Sequence, residues 1–148
     1  MTHKILVINK HMLEVVVEFF GIFKNVFDTL EPINSITANL VVPTYFSAMS
    51  QLRDFPSKLS TNPSADSDVY DIILVLSDAI YVRIQAKIHP EIRPIHYAAT
   101  YLDPNFNQFS NIEEIEARNN AFETAKTFIK QKINCFSIPQ VFINFIFL

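Results

Sequence analysis

Glycine is almost missing from this sequence of 148 residues, in which Gly21 is the only one. A phosphate-binding loop or a dinucleotide-binding fingerprint needs several glycines, because the backbone must approach the ligand closely. Both kinds of site are therefore excluded. The tight turns of β-hairpins also favour glycine, so an antiparallel barrel or sandwich is disfavoured. Helices tolerate this scarcity best, and we predict an all-α fold.

Cysteine is equally scarce, since Cys135 is the only one, and no cysteine and histidine residues have the spacing of a zinc site. The chain can form no internal disulfide, and we predict neither a metal nor a cofactor. No apolar run reaches the roughly 20 residues that cross a membrane. The first residues also lack a signal-peptide pattern. We therefore expect an intracellular protein that makes no membrane contact.

Positive charge is limited as well, with 12 lysines and arginines against 15 acidic residues and a net charge of -3. Domains that bind nucleic acid by themselves carry a basic surface, because they neutralise phosphates. We expect any contact with DNA to occur through a larger assembly. Apolar residues, in contrast, are abundant at 49%, and fourteen phenylalanines supply bulky side chains for a core.

Apolar residues recur at steps of three and four and predict four long amphipathic helices. Their ranges are 12–30, 35–55, 67–88 and 112–132. Pro43 falls inside the second range, where we favour one kinked helix capped by Ser35 over a helix that starts at Pro43. Ser110 and Glu113 match a Ser-x-x-Glu capping box at the start of the last helix.

Each long helix has a predicted buried face that follows from this spacing. In the first helix the face comprises Met12, Val16, Phe19, Phe20, Phe23, Val26, Phe27 and Leu30. In the second it comprises Leu40, Tyr45, Met49 and Leu52. In the third it comprises Ile72, Ile73, Leu76, Ile80, Ile84 and Ile88. In the last it comprises Ile115, Phe122, Ala125, Phe128, Ile129 and Ile133.

A short helix-like segment ends abruptly at Leu102-Asp103-Pro104. Proline disfavours helix at the residue before it, and the aspartate carboxylate can accept hydrogen bonds from the amides that follow. We interpret Asp103 as a helix stop rather than a catalytic residue, and we expect Phe106 to insert into the core.

The other polar clusters have simple structural interpretations. Two acidic groups lie at predicted helix starts and complement the helix dipole; they are Asp66, Asp68 and Asp71, and Glu113, Glu114 and Glu116. His89 and His96 are seven residues apart and lack the further ligands that zinc needs.

Cys135 has no candidate base nearby in the sequence. We therefore predict no catalytic, cofactor-binding or metal-binding residue, and no enzyme. A catalytic site built from Asp66, Asp71, Asp103 and Glu113 is the least favoured alternative.

The last fifteen residues are uncharged and strongly apolar. Three interpretations remain open for this tail: a buried strand, an interface patch, or sequence foreign to the domain, such as a translated intron. We divide the chain into an N-terminal extension (1–11), a helical region (12–133) and this apolar tail (134–148).

The segment Leu102-Asp103-Pro104-Asn105-Phe106-Asn107 resembles the LDPRFK signature of hAT-superfamily transposases and of the BED-type zinc finger proteins derived from them. Two upstream segments look like family helices in the expected order. Phe23, Val26, Phe27 and Thr29 fit the spacing of the first, and Val41-Val42-Pro43-Thr44-Tyr45 is similar to part of the second. The resemblance covers about residues 12–132.

The resemblance implies a fragment of the α-helical insertion that interrupts an RNase H-like catalytic core. It also implies a nuclear protein involved in DNA transactions, with a transposase core or a second copy as its partner. The family's acidic catalytic residues and its zinc finger lie outside the matching region. Asn105 and Asn107 stand where the family usually has arginine and lysine, so two positive charges are lost.

Two functional hypotheses follow from the sequence. The first is a truncated hAT-like transposase or BED-type zinc finger protein that lacks both the catalytic residues and the zinc finger. The alternative is a stand-alone helical module that binds a partner protein through its apolar surfaces.

Overall fold

The computed structural model describes residues 10–31, 37–60 and 67–135. All the regular secondary structure in these ranges is helical. The predicted all-α class is confirmed. The elements are α1 (Lys10–Leu30), α2 (Val41–Ser60), α3 (Ser67–Lys87), a 3-10 turn (His89–Glu91), α4 (Pro94–Leu102) and α5 (Ile115–Cys135). The division into extension, helical region and tail stays a prediction, because residues 1–9 and 136–148 lie outside the described part.

The second helix starts later than we favoured. Residues 38–40 form a turn, and the Leu40 amide donates to the Thr37 carbonyl at 2.9 Å. α2 begins directly afterwards, so Pro43 lies in its first turn, where backbone amides have no partner within the helix and proline is tolerated. The kinked helix from Ser35 is therefore wrong, and the start near Pro43 is closer. Ser35 itself lies outside the described residues.

The same helix also continues past the point where we expected it to end, at Phe55. Pro56 lies inside α2 and has no N–H group, so it leaves the Leu52 carbonyl without its helical donor. Ser77 of α3 donates its hydroxyl to that carbonyl oxygen. Both groups are buried, and the neighbouring helix thus satisfies the acceptor that the proline leaves free.

α1, α2 and α3 pack around one apolar cluster, which we call the first core. Its buried members are Val15, Phe19, Ile22, Ala48, Met49, Leu52, Phe55, Val69 and Ile73. The rings of Phe19 and Phe55 meet edge to face, with 5.3 Å between their centroids. Aromatic pairs in this arrangement add to the free energy gained by burial.

The predicted buried faces were only partly right. Phe20 and Phe27 of α1 are 48% and 62% exposed, whereas Val15 and Ile22 are buried in their place. Ile72 and Ile88 of the third predicted face are 45% and 50% exposed, and Ile115 of the last is 71% exposed. α1 is apolar on two sides, so the spacing of its apolar residues did not identify the side that packs inward.

The second core lies between α4, α5, the start of α2 and the segment 103–114 that joins α4 to α5. Its buried members are Val42, Phe109, Ile112, Ala121 and Ala125, with Ala98, Ile129 and Ile133 beside them. Three successive turns fold the joining segment, each closed by a backbone hydrogen bond of 2.9 to 3.0 Å. Phe109, at 2% exposed, fills this core, whereas Phe106 is only half-buried. The prediction that Phe106 is the inserted aromatic was therefore wrong.

Candidate functional site

A groove of about 300 Å3 lies between α2, the end of α3 and the start of α5. Aromatic side chains from three separate elements line it, namely Tyr45, Tyr81 and Tyr97. The polar groups Gln85, Asn111, Asn120 and Thr124 also line it. Concave surfaces that combine aromatic walls with a few polar groups are typical binding sites, so this groove is the candidate functional site.

One wall of the groove is a stack of Tyr45 on His89. The two rings are 5.5 Å apart and inclined by only 17°. Phe46 meets both of them edge on, with ring centroids 5.1 Å from Tyr45 and 6.5 Å from His89. The stack joins α2 to the 3-10 turn after α3, and both of its residues line the groove.

The hydroxyls of Tyr45 and Tyr97 in the groove are held in their neutral form. Burial, together with the neighbouring Tyr81 and Tyr97, raises the pKa of Tyr45 to about 12. Burial also raises the pKa of Tyr97. At neutral pH these phenols are therefore hydrogen-bond donors and acceptors rather than bases.

Glu113 lies at the mouth of the groove and is held by two side chains of α2. Ser50 donates its hydroxyl to Glu113 at 2.8 Å, and the Arg53 guanidinium donates to the other carboxylate oxygen. The hydrogen bond from Ser50, followed by the bond and charge of Arg53, lowers the pKa of Glu113. A carboxylate with a lowered pKa is a weak base, so Ser50 is not activated as a nucleophile.

These contacts also explain why the predicted capping box does not form. Glu113 lies two residues before the first residue of α5, and its side chain reaches α2 instead of the Ser110 amide. Arg118 holds the end of the joining segment, since its Nε donates to the Ile112 carbonyl at 2.9 Å. The prediction of a capping box formed by Ser110 and Glu113 was therefore wrong.

Asp103 ends α4, as predicted, and it also makes a contact that the sequence did not indicate. Its Oδ1 accepts a hydrogen bond from the Asn105 amide at 2.9 Å, and its Oδ2 accepts one from the side chain of Asn39. These bonds, the one from the Asn105 amide first, lower the pKa of Asp103. The carboxylate thus connects the end of α4 to the turn before α2.

Buried Thr100 makes a second connection between the same two elements. Its hydroxyl lies 2.9 Å from both the Asn39 carbonyl and the His96 carbonyl, two acceptors between which the single proton is shared. Asp103 and Thr100 together fix the last turn of α4 against the turn before α2, so the role of Asp103 in this structure is structural.

The remaining candidates from the sequence lie in separate places. His89 stacks on Tyr45, whereas His96 accepts a hydrogen bond from the Arg93 amide at 3.0 Å at the start of α4. Asp71 lies exposed on α3, and Asp66 is outside the described residues. Across ranges 10–31, 37–60 and 67–135, no group of three or more His, Cys, Asp or Glu side chains is placed to hold a metal ion.

The acidic groups at helix starts and the cysteine are exposed. Asp68 lies in the first turn of α3, Glu116 in the first turn of α5, and Glu114 directly before α5. Cys135 is a free thiol at the end of α5. None of the helices in the described part is long and apolar enough to span a membrane.

The sequence did not reveal the residues that form the groove. Tyr45 and His89 are 44 positions apart, and no local pattern relates them. One feature of the sequence could have indicated the contact between Ser77 and Leu52. Pro56, four residues after Leu52 in the same helix, has no N–H group to donate to the Leu52 carbonyl, which therefore needs another donor.

Comparisons of the chain with family models, with curated proteins and with solved structures found no match.

Proposed function

We propose that this chain is a fragment of the helical insertion of a hAT-like transposase, or of a BED-type zinc finger protein derived from one. It has no catalytic activity of its own. It acts in the nucleus by packing against a transposase core or against a second copy of itself. The observation that carries this proposal is the Leu102-Asp103-Pro104 segment, which ends the short helix α4 (Pro94–Leu102) that comes after the long helix α3 and the 3-10 turn.

The environment of Asp103 supports this interpretation of the segment. A carboxylate that ends α4 and also holds the turn before α2 gives the Leu-Asp-Pro motif a structural role. Such a role requires no DNA and no metal ion, so a copy that has lost its catalytic core can retain it.

The genomic sequence on both sides of the coding region tests this proposal. We expect remnants that encode a BED-type zinc finger upstream and parts of an RNase H-like core on both sides. Intact, unrelated genes directly adjacent on both sides would contradict a transposase origin.

We propose that DNA reaches this fragment only through such an assembly. The chain is acidic overall, and Lys10, Lys24 and Arg53 each form an ion pair with a carboxylate. We expect no binding of the purified chain to a duplex at low salt, measured by fluorescence anisotropy. Tight binding that weakens steeply with added salt would contradict this, because it is the signature of phosphate neutralisation.

The second candidate is a stand-alone protein-interaction module, and the α2–α3–α5 groove favours it. The stacked rings of Tyr45 and His89 form an aromatic surface that lines this groove, and the neutral hydroxyls of Tyr45 and Tyr97 belong to the same groove. An extended peptide that inserts an apolar or aromatic side chain would bury that surface and could hydrogen-bond to the hydroxyls.

Peptides selected from a random library against the chain test this module. Asn120 lines the groove and its neighbour Asn119 does not, although both are exposed on α5. We expect Asn120→Trp to abolish binding of selected peptides, because the indole fills the groove, and Asn119→Trp to leave it unchanged. Peptides that bind both variants equally well would contradict the groove as the binding site.

A further inference from the structure

The side of α1 that faces away from the first core carries four large apolar residues. We call Leu13, Val17, Phe20 and Phe27 the outward face; they are 51%, 65%, 48% and 62% exposed. Val15, Phe19 and Ile22 on the opposite side are buried. Apolar residues at alternating spacings of four and three form the seam of coiled coils, and Lys24 occupies the position of this seam between Phe20 and Phe27. The outward face therefore has the pattern of a helix that packs on a second helix.

We infer that two copies of this chain pair through the outward face of α1 in antiparallel orientation. The inference deepens the proposed packing against a second copy, but it depends on α1 alone and not on a transposase origin. Three features of the helix support it: its shape, its charges and its glycine.

The two ends of the outward face have complementary shapes. A shallow hollow lies at the N-terminal end, lined by Lys10, Leu13, Glu14, Val17 and Glu18. The exposed rings of Phe20 and Phe27 lie toward the C-terminal end. Antiparallel pairing places the rings of each copy over the hollow of the other, and the two-fold symmetry of such a pair makes this contact twice.

The charges along the outward face favour the antiparallel orientation. Lys10 pairs with Glu14 at 3.6 Å near one end, and Lys24 pairs with Asp28 near the other. With Val17 opposite Phe20 of the second copy, Lys24 lies near Glu14 of that copy, and Lys10 lies near its Asp28. Parallel pairing would instead bring each lysine against the same lysine, which is unfavourable.

Gly21 adjoins the outward face, next to Phe20, and nothing within the described chain accounts for it. Apart from its two chain neighbours and the nearby backbone of α1 itself, no atom of the described chain lies within 4 Å of the position that a Cβ would occupy there. A glycine inside a helix costs stability relative to alanine, and here no neighbouring group requires a small residue. A missing side chain at this position allows the second helix to approach closely.

Sedimentation equilibrium of the full chain over a range of concentrations tests the pairing. We expect reversible self-association that Val17→Lys weakens about tenfold or more, because two lysines then enter the apolar seam. The matched control is Val82→Lys on α3, where the valine is 63% exposed against 65% for Val17. We expect the control to leave self-association unchanged, and circular dichroism to show equal helix content in both variants.

Two charge variants test the orientation. We expect Lys24→Glu and Glu14→Lys each to weaken self-association, since each places like charges together across the antiparallel pair. The double variant restores opposite charges between positions 24 and 14 of the two copies, so we expect it to associate more strongly than either single variant. Parallel pairing predicts no such recovery.

Three results would overturn the inference: a wild-type chain that remains monomeric, a Val17→Lys variant that associates as well as the wild type, or equal weakening by Val82→Lys. Failure of the double charge variant to recover would overturn the antiparallel orientation. None of these results bears on the transposase origin, which depends on the flanking genomic sequence.

Discussion

The two cores of this protein are stabilised in different ways. In the first, the described contacts between α1, α2 and α3 are mainly apolar, and one buried side-chain hydrogen bond joins Ser77 to the Leu52 carbonyl. In the second, Thr100, Asp103 and Arg118 bind the backbone of turns or the side chain of Asn39. The first core depends mainly on apolar packing, and the second combines packing with several specific hydrogen bonds.

This difference indicates which part of the molecule is suited to contact a partner. α1 and α3 keep large apolar residues on their outer sides, among them Val17, Phe27, Val75 and Val82. Around the second core, hydrogen bonds fix the segment that places Glu113 at the groove. We interpret the second core as a scaffold for the groove, and α1 as the part suited to contact a partner, because its outward face combines exposed apolar residues with charges at both ends.

The largest expected effect comes from Phe19, which is fully buried in the first core. Replacement of Phe19 by alanine leaves a cavity and removes its ring contacts with Phe55, so we expect a loss of ~4 kcal/mol in the free energy of unfolding. The adjacent Phe20→Ala is the matched control, because its ring is 48% exposed. Urea denaturation at low protein concentration should show a smaller change of about 1 kcal/mol for this control, whose ring still meets that of Phe19 edge to face at 5.5 Å. Equal losses would contradict the assignment of the inward side of α1.

Ser77 gives the next largest effect, because its hydroxyl is the donor for a carbonyl that Pro56 leaves free. We expect Ser77→Ala to cost about 2 kcal/mol, since the buried Leu52 oxygen then has no partner. Pro56→Ala restores an N–H that can donate to the same oxygen. In that background we expect Ser77→Ala to cost less than about 1 kcal/mol. Equal costs in both backgrounds, measured by urea denaturation, would contradict the link between the two residues.

Thr100 tests the second core in the same way. Thr100→Val keeps the branched shape and removes the hydroxyl that bonds to the Asn39 carbonyl. We expect a loss of about 1.5 kcal/mol, smaller than for Ser77, because Asn39 also stays bound to Asp103. Thermal unfolding of the two variants side by side measures this order. A loss as large as that of Ser77→Ala would show that the hydrogen bond from Asn39 to Asp103 does not compensate for the lost hydroxyl.

Several features that depend on local sequence were predicted correctly, although both ends of α2 and the capping box before α5 were not. The helical class was correct, as was the start of α3 at Ser67, and so was the end of α4 at Asp103. Features that depend on distant residues were not. Asn39 and Asp103 are 64 positions apart, and Ser50 and Glu113 are 63 apart, so no local pattern could show that these side chains meet.

The errors in the predicted buried faces have a related cause. Periodic spacing shows that a helix has an apolar side, but α1 has two such sides, of which only one packs on α2 and α3. The spacing therefore included Phe20 and Phe27 in the core. The pattern was informative in a different way, because it identified an apolar surface that the described chain leaves exposed.

Tyr45, which lines the groove between the two cores, should make the free energy of unfolding fall at alkaline pH. The folded state raises the pKa of Tyr45 from 10.0 to about 12, so its contribution is complete below pH 10 and is lost as the pH rises through 12. Allowing for screening by water at this half-buried residue, we expect a loss of about 1 kcal/mol. Urea denaturation at a series of alkaline pH values measures it, and Tyr45→Phe should reduce the slope. An unchanged slope would show that other groups cause the alkaline loss.

The smallest effect is expected at Gly21, where one substitution should change the stability of the monomer and the strength of self-association in opposite directions. Gly21→Ala should stabilise the monomer by up to about 1 kcal/mol, because alanine favours the helix and meets no atom within 4 Å. The same change should weaken self-association, because the added methyl groups hinder the approach of two α1 helices. Thermal unfolding at low concentration and sedimentation equilibrium measure the two effects separately. A variant that is more stable and still pairs as well as the wild type would show that the outward face of α1 does not need the glycine.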